Sequence, residues 1–185
     1  MKSVLISIRP KWTEKIANGE KTIEVRKSAP KEVPFKCYIY ETKGQYVKFT
    51  HGAHTKYGYG RGKVIGEFIC DKVYPIKNRG SRFSVADEEQ SVTNEIARQS
   101  CLYYDDMVSY FGNKDGFGWH ISVLKIYDKP KELSEFRKPC PYGDLPCWIC
   151  PSCDKDENDN LIQCFNTVSR PPQSWQYIED LGEKE

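Results

Sequence analysis

Residues 19–26 read Gly-Glu-Lys-Thr-Ile-Glu-Val-Arg, a helix stop and a strand start carrying Lys21, Glu24 and Arg26 within eight positions. Asn18-Gly19 ends an amphipathic helix, because glycine takes the left-handed backbone geometry at no steric cost. The strand that follows alternates, so Ile23 and Val25 share one face while Thr22, Glu24 and Arg26 share the other. Glu24 and Arg26 therefore stand side by side with opposite charge. Lys21, at the hinge between helix and strand, has a stem long enough to reach the same ledge. On an open sheet face such a pair is solvated and worth at most about 1 kcal/mol; gathered in a cleft, the three groups make a clasp for an anion.

Outward from this motif the chain alternates short strands and helices. Val4, Ile6 and Ile8 mark a first strand, and Pro10 opens a helix over 10–18 with Trp12, Ile16 and Ala17 inward. Pro30 and Pro34 bracket a connection to a third strand over 35–42, in which Cys37 reads as a small buried hydrophobe. A long strand covers 62–74, where Gly66 implies a bulge or a close backbone approach. Glu67 in that strand is a polar group among apolar neighbours, and thus a candidate partner for Lys21 or Arg26. Ser84 with Asp87 signals a helix running to about residue 99, and a second helix over 104–111 stops at Gly112. A last strand over 117–127 alternates Trp119, Ile121 and Val123 with His120, read as a structural histidine.

The spacing Gly19-x-Lys21-x-x-Glu24-x-Arg26, preceded by Ser7-Ile8-Arg9-Pro10 and a short helix, resembles the signature of the ASCH domain, a branch of the PUA-like β-barrels. The resemblance continues through Gly66-Glu67 and Trp119 to about residue 130. It implies an α+β fold, a small PUA-like β-barrel with flanking helices and the helix pair inserted before the last barrel strand. It also implies an RNA or nucleotide ligand in a cleft built from the motif, with Arg9, Lys21, Glu24, Arg26 and Glu67 as ligand-binding residues. Hydrolytic members of the family remove the acetyl group from acetylated cytidine with a lysine, a threonine and a distant glutamate; others are assigned ribonuclease activity. Lys21 matches the lysine, but Glu24 stands where the threonine belongs, and Glu67 and Glu95 both compete for the glutamate. Lys21 and Glu24 are the catalytic candidates if the chain is an enzyme. A carboxylate beside a lysine favours its charged form and opposes a base role, which ranks binding above hydrolysis.

Residues 43–63 carry five glycines, which argue against a rigid element. Lys43, Lys48, Tyr57, Tyr59, Arg61 and Lys63 are interleaved among them. Aromatic faces stack on bases and cations meet phosphates, a composition suited to single-stranded nucleic acid; a loop serving only solubility has the same make-up. His51 and His54 lack a third donor and read as non-metal residues.

The 185 residues suffice for one domain, over 1–136, and a small extension, over 137–185. No apolar run approaches the 18 or so residues that a membrane span needs, and the apolar start is too short for a secretory core; both imply a cytoplasmic protein. The net charge of +2 hides a polarity: 18 Lys/Arg against 7 Asp/Glu in residues 1–82, and 10 against 19 in residues 83–185. A cationic half suits a polyanion; an acidic half also suits a protein partner, which makes a protein-interaction module the third functional class.

The extension holds Cys140, Cys147, Cys150, Cys153 and Cys164. Cys147-Trp-Ile-Cys150-Pro-Ser-Cys153 overlaps two Cys-x-x-Cys turns, and its second half resembles a zinc knuckle. In a reducing cytosol thiols serve metal rather than disulfides. Five candidates for four positions predict a structural Zn2+ with one cysteine spare. Four thiolates leave no open position for water, so the metal is a staple and not a catalyst. Ser169-Arg-Pro-Pro-Gln-Ser-Trp175 then reads as a stiff strap returning to the main domain. Oligomeric state leaves no mark in the sequence.

Overall fold

The computed structural model describes residues 1–51, 54–80, 82–86, 88–142, 149–151, 153–158 and 161–181, except the side chains of 49–51, 54 and 161–164. In chain order the elements are β1 (Lys2–Ile8), α1 (Pro10–Ala17), β2 (Ile23–Arg26), β3 (Phe35–Glu41), β4 (Gly44–His51), β5 (His54–Gly60), β6 (Lys63–Cys70), β7 (Val73–Asn78) and β8 (Phe83–Val85). They continue with α2 (Gln90–Ser100), α3 (Tyr104–Phe111), β9 (Gly116–His120), β10 (Ser122–Lys131), β11 (Cys153–Lys155), β12 (Leu161–Cys164) and β13 (Trp175–Ile178). This is an α+β fold, mostly sheet. Among the described residues no helix is long and apolar enough to cross a membrane.

Two sheets carry the structure. The first has the order β10-β6-β3-β1-β13, with β1 and β3 parallel and the other neighbours antiparallel. The second has the order β2-β9-β7-β8, antiparallel throughout. Each of the two long strands read from the sequence is divided at a corner between the sheets. Asp71-Lys72 separates β6 from β7, and Ile121 separates β9 from β10. Both corners are pinned by backbone bonds, His120 N–H to Lys72 O at 2.9 Å and Ile121 N–H to Thr22 O at 2.9 Å. Among the described residues no ladder closes the two sheets into one barrel.

The inner core lies where the sheets face each other: Val4, Ile6, Ile8, Phe35, Cys37, Ile39, Phe68 and Trp119, with Ile16 from α1. Trp119 meets Phe35 edge-on, ring centroids 5.0 Å apart. A second cluster buries Ile23 and Val25 against Ile76, Ile96, Met107 and Phe111, and so fastens α2 and α3 to the back of β2. The far face of the first sheet is covered too, since Leu5, Tyr38 and Tyr40 pack with Phe136, Val168 and Ile178. A strand buried on both faces reads as the near-continuous apolar run that β1 shows.

Two expectations change. Within residues 43–63, β4 (Gly44–His51) and β5 (His54–Gly60) pair as an antiparallel ladder rather than a floppy loop. Its glycines permit close packing: a Cβ on Gly58 would lie 2.5 Å from the Tyr46 ring, and one on Gly60 only 1.9 Å from the Thr42 carbonyl oxygen. The helix expected from Ser84 starts at Gln90 instead, because Phe83 and Val85 are drawn into β8 beside β7. The extension runs back to the main domain, as the strap reading expects, for β13 lies antiparallel to β1 in the first sheet. Trp175 makes that junction, edge-on to Trp119 with centroids 5.8 Å apart and Nε1–H donating to Ser28 Oγ at 3.1 Å.

Candidate functional site

The motif is assembled by the turn out of α1. Gly19 has φ +74°, and the amides of Glu20 and Lys21 both donate back to Lys15 O, at 2.9 and 3.1 Å. This swings Lys21 under the helix, where its side chain is 2% exposed. Lys21 Nζ donates to Ile23 O at 2.8 Å and Ser100 O at 2.7 Å, and stands 3.3 Å from Glu24 Oε2. The Trp12 ring lies 5.3 Å away, close enough for a cation–π contact.

Strand alternation then sets the other two charges. Ile23 and Val25 go into the helix-facing cluster, and Glu24 and Arg26 turn to the opposite side, both buried. Glu24 Oε1 meets Arg26 Nη2 at 3.0 Å, and the same nitrogen donates to Ser7 O at 2.7 Å. Two polar atoms in this cluster, Glu24 Oε2 and Arg26 Nε, are buried without an aligned hydrogen bond among the described residues. Burial pushes the Lys21 ammonium below its ordinary range, against the pull of Glu24 in the other direction.

Above the cluster opens a cleft of about 370 Å³, within the size range of small-ligand sites. Ile8, Arg9 and Trp12 line it from the β1–α1 corner, Lys21, Glu24, Val25 and Arg26 from its floor, and Leu102, Asp106, Ser109 and Tyr110 from α2–α3. Gln173 of the C-terminal strap completes it, held there as Pro172 O accepts from Ser7 Oγ at 2.6 Å. Sequence reasoning missed Asp106, Tyr110 and Gln173. Asp106 and Tyr110 are four apart on α3 and so share one helix face, but nothing in the sequence shows which element that face meets.

Other candidates lie elsewhere. Glu67 accepts from Tyr127 Oη and stands 3.7 Å from Lys36 Nζ, on the far side of the first sheet's β3–β6 pair from the motif charges. It is therefore not a partner of Lys21 or Arg26, because β6 presents it toward Lys36, Tyr38 and Asp180. Glu95 is an exposed helix residue whose bonds to Arg98 pull its carboxyl down to about 2. In the hairpin, Tyr57 and Tyr59 are exposed on one face. Its other face docks on α1, Tyr46 Oη donating to Glu14 at 2.8 Å and Lys48 at 2.7 Å. Lys63 pairs with Glu132 and Arg61 with Glu41, while Lys43 packs against Gly62 at the hairpin base.

Of the cysteines, Cys140, Cys150 and Cys153 are thiols. Cys147 and the side chain of Cys164 lie outside the described residues. Among the described residues no three His, Cys, Asp or Glu side chains converge on one point.

No family model and no curated protein sequence matches the chain. Solved structures do. The crystal structure of ASCH from Zymomonas mobilis has a TM-score of 0.54 at 16% identity, covering 96% of this chain and 88% of that one. A tyrosine-to-phenylalanine variant of the same protein gives 0.54 at 15% identity, over 98% and 93%, and a serine-to-alanine variant 0.54 at 15%, over 97% and 90%. The chain thus has the ASCH fold, shared along most of its length at an identity that speaks for architecture alone.

Proposed function

We propose that the cleft binds RNA or a nucleotide, holding one phosphate-bearing unit over the buried Lys21–Glu24–Arg26 cluster. The observation that carries this reading is the Arg26 guanidinium, more than nine-tenths buried, whose Nε has no aligned partner among the described residues at the floor of an open cleft, beside the Lys21–Glu24 ion pair. An unmade hydrogen bond at a buried donor costs about 1–3 kcal/mol, which a ligand group can recover. Arg9 at the exposed rim suits a phosphate, Trp12 and Tyr110 offer ring faces for a base, and Asp106 and Gln173 supply an acceptor and a donor for its edge. Beyond α1, exposed Tyr57 and Tyr59 extend the same chemistry along the β4–β5 ribbon. The two sheets are then the halves of a PUA-like barrel, a reading supported by the corners at which β6 passes to β7 and β9 to β10.

The test is anisotropy of labelled single-stranded RNA titrated with wild type and Arg9→Ala over a range of salt. Binding that weakens steeply as salt rises supports the proposal. Salt-independent binding, or none, overturns it.

A hydrolytic use of the same cleft is favoured by one observation, the depressed proton affinity of Lys21. Its geometry weighs the other way. The amine already faces two backbone carbonyls and one carboxylate, so no lone pair is directed at a substrate. Incubation with acetylated cytidine, wild type beside Lys21→Ala, decides: deacetylated product made only by wild type establishes hydrolysis.

A further inference from the structure

We propose that the base read by this cleft is guanine, with Arg26, Glu24 and Asp106 on its edge; the inference rests on the nucleotide reading above and names its ligand. The hydrogen-bonding inventory of the floor carries it. Lys21 Nζ is fully occupied, facing Ile23 O, Ser100 O and Glu24 Oε2 at 2.8, 2.7 and 3.3 Å. Arg26 Nη2 is occupied too, between Ser7 O at 2.7 Å and Glu24 Oε1 at 3.0 Å. The buried cluster still offers a donor, Arg26 Nε–H, and an acceptor, Glu24 Oε2, whose contact with Lys21 leaves it a second lone pair.

A further acceptor comes from α3. Ser100 O, at the end of α2, holds Lys21, and the Tyr110 ring on α3 has its centroid 5.2 Å from Lys27 Nζ, just past β2. α3 therefore runs beside β2 from its Lys21 end to its Lys27 end. Asp106, Ser109 and Tyr110 line the cleft from this helix, at the spacing of one helix face, and Asp106 stands midway along the strand. Its Oδ2 accepts from Tyr103 N–H at 3.2 Å, while Oδ1 has no bond among the described residues. Two carboxylates and one buried guanidinium N–H thus border the same space as the Trp12 and Tyr110 rings.

Carboxylates accept and a guanidinium donates, so the matching edge carries two donor groups and one acceptor. The Watson–Crick edge of guanine has this composition: N1–H and the N2 amine for the carboxylates, and O6 for Arg26 Nε–H. Uracil sets one donor between two acceptors, cytosine one donor beside two acceptors, and adenine one donor beside one acceptor. Each of these turns a lone pair on a carboxylate or leaves a carboxylate without its hydrogen bond, and a site whose polar groups are left unpaired rejects the ligand that does so. A phosphate on the floor fails for the same reason. Its oxygens only accept, and Glu24 stands 3.0 Å from the guanidinium that would hold it. The phosphate therefore stays at the rim with Arg9, and the base goes in edge first.

Calorimetric titration of the full-length chain with GMP, IMP, AMP, CMP and UMP tests this. GMP is expected to bind at least about tenfold more tightly than AMP, CMP and UMP. IMP keeps N1–H and O6 but lacks the N2 amine, so it falls between GMP and AMP. The wild-type series requires no variant to fold. Asp106→Ala narrows the gap between GMP and IMP, whereas loss of the bond to Tyr103 alone would weaken both together and leave the gap as it was. All five bound equally, or another base bound best, overturns guanine and leaves the nucleotide reading standing. A GMP-to-IMP gap that is absent in the wild type, or that persists in Asp106→Ala, overturns Asp106 as the reader of the amine. If none of the five binds while single-stranded RNA does, guanine falls alone; if RNA fails as well, the nucleotide reading falls with it.

Discussion

The Glu24 carboxylate and the Arg26 guanidinium form a 3.0 Å ion pair with both side chains less than a tenth exposed. Two residues apart on a strand, they would be a solvated pair of little worth had β1 and α1 not covered that face. Burial reverses the energetics. Glu24→Gln leaves Lys21 and Arg26 as two buried cations without their anion, and breaking a buried pair in this way costs about 3–5 kcal/mol. Urea denaturation followed by tryptophan fluorescence should show the midpoint falling accordingly; a loss near that of a surface pair, below about 1 kcal/mol, would mean that water reaches the cluster.

Ligand contacts separate by position in the cleft. Arg9 is exposed at the rim, so Arg9→Ala should leave stability unchanged, weaken single-stranded RNA evenly across sequences and lower the salt slope by about one. Trp12 lines the wall, and Trp12→Ala should cost about 1–3 kcal/mol of affinity as one stacked base is lost. A Trp12→Phe variant keeps a ring face and should recover most of that loss in the same anisotropy titration.

Much of this was legible because local rules and the fold agree. Gly19 ends α1 as its spacing demanded, α3 spans the residues its periodicity picked out, and Gly66 marks a close approach to the Lys125 carbonyl. Long-range facts were not legible. Gly58 and Gly60 looked like breakers, yet they are small so that Tyr46, Thr42 and Pro10 can come near. Glu67 has the alternation of a cleft residue, but which neighbour it meets depends on the β3–β6 register, which sequence periodicity does not encode. Tyr110 and Gln173 reach the site from 84 and 147 residues beyond Arg26, and only the packing of α3 and the strap brings them there.

The hairpin should detach from α1 in acid. Bonds from Lys48 and Tyr46 hold the Glu14 carboxyl below its ordinary value of 4.5. A depressed carboxyl gives stability that is present above 4.5 and is lost as pH falls through the folded value. Amide exchange in β4 and β5 should therefore quicken below about pH 4.5, while exchange in β1 and β3 does not follow it. Glu14→Gln, which cannot ionise, should abolish that pH dependence; a hairpin whose exchange still tracks pH in the variant would place the responsible carboxyl elsewhere.

The last prediction concerns Phe136, which ties the extension to the sheets. The side chain is wholly buried, its ring 5.1 Å from that of Tyr38 and inclined at 69°. Its carbonyl accepts from Val168 N–H at 2.8 Å, and Val168 and Ile178 share its cluster. Phe136→Ala should thus cost about 3–5 kcal/mol, the transfer term plus the cavity left behind. Phe165, 62% exposed in the same extension, is the control, and Phe165→Ala should stay within about 0.5 kcal/mol. Because Ile178 lies in β13, loss of the Phe136 ring removes packing from under that strand as well. Amide exchange in Trp175–Ile178 should accelerate more than exchange in β6, and RNA affinity should fall with it, since Gln173 reaches the cleft only while β13 stays paired to β1. Affinity unchanged in a Phe136→Ala chain with a loosened β13 would show that the strap wall contributes nothing to the ligand.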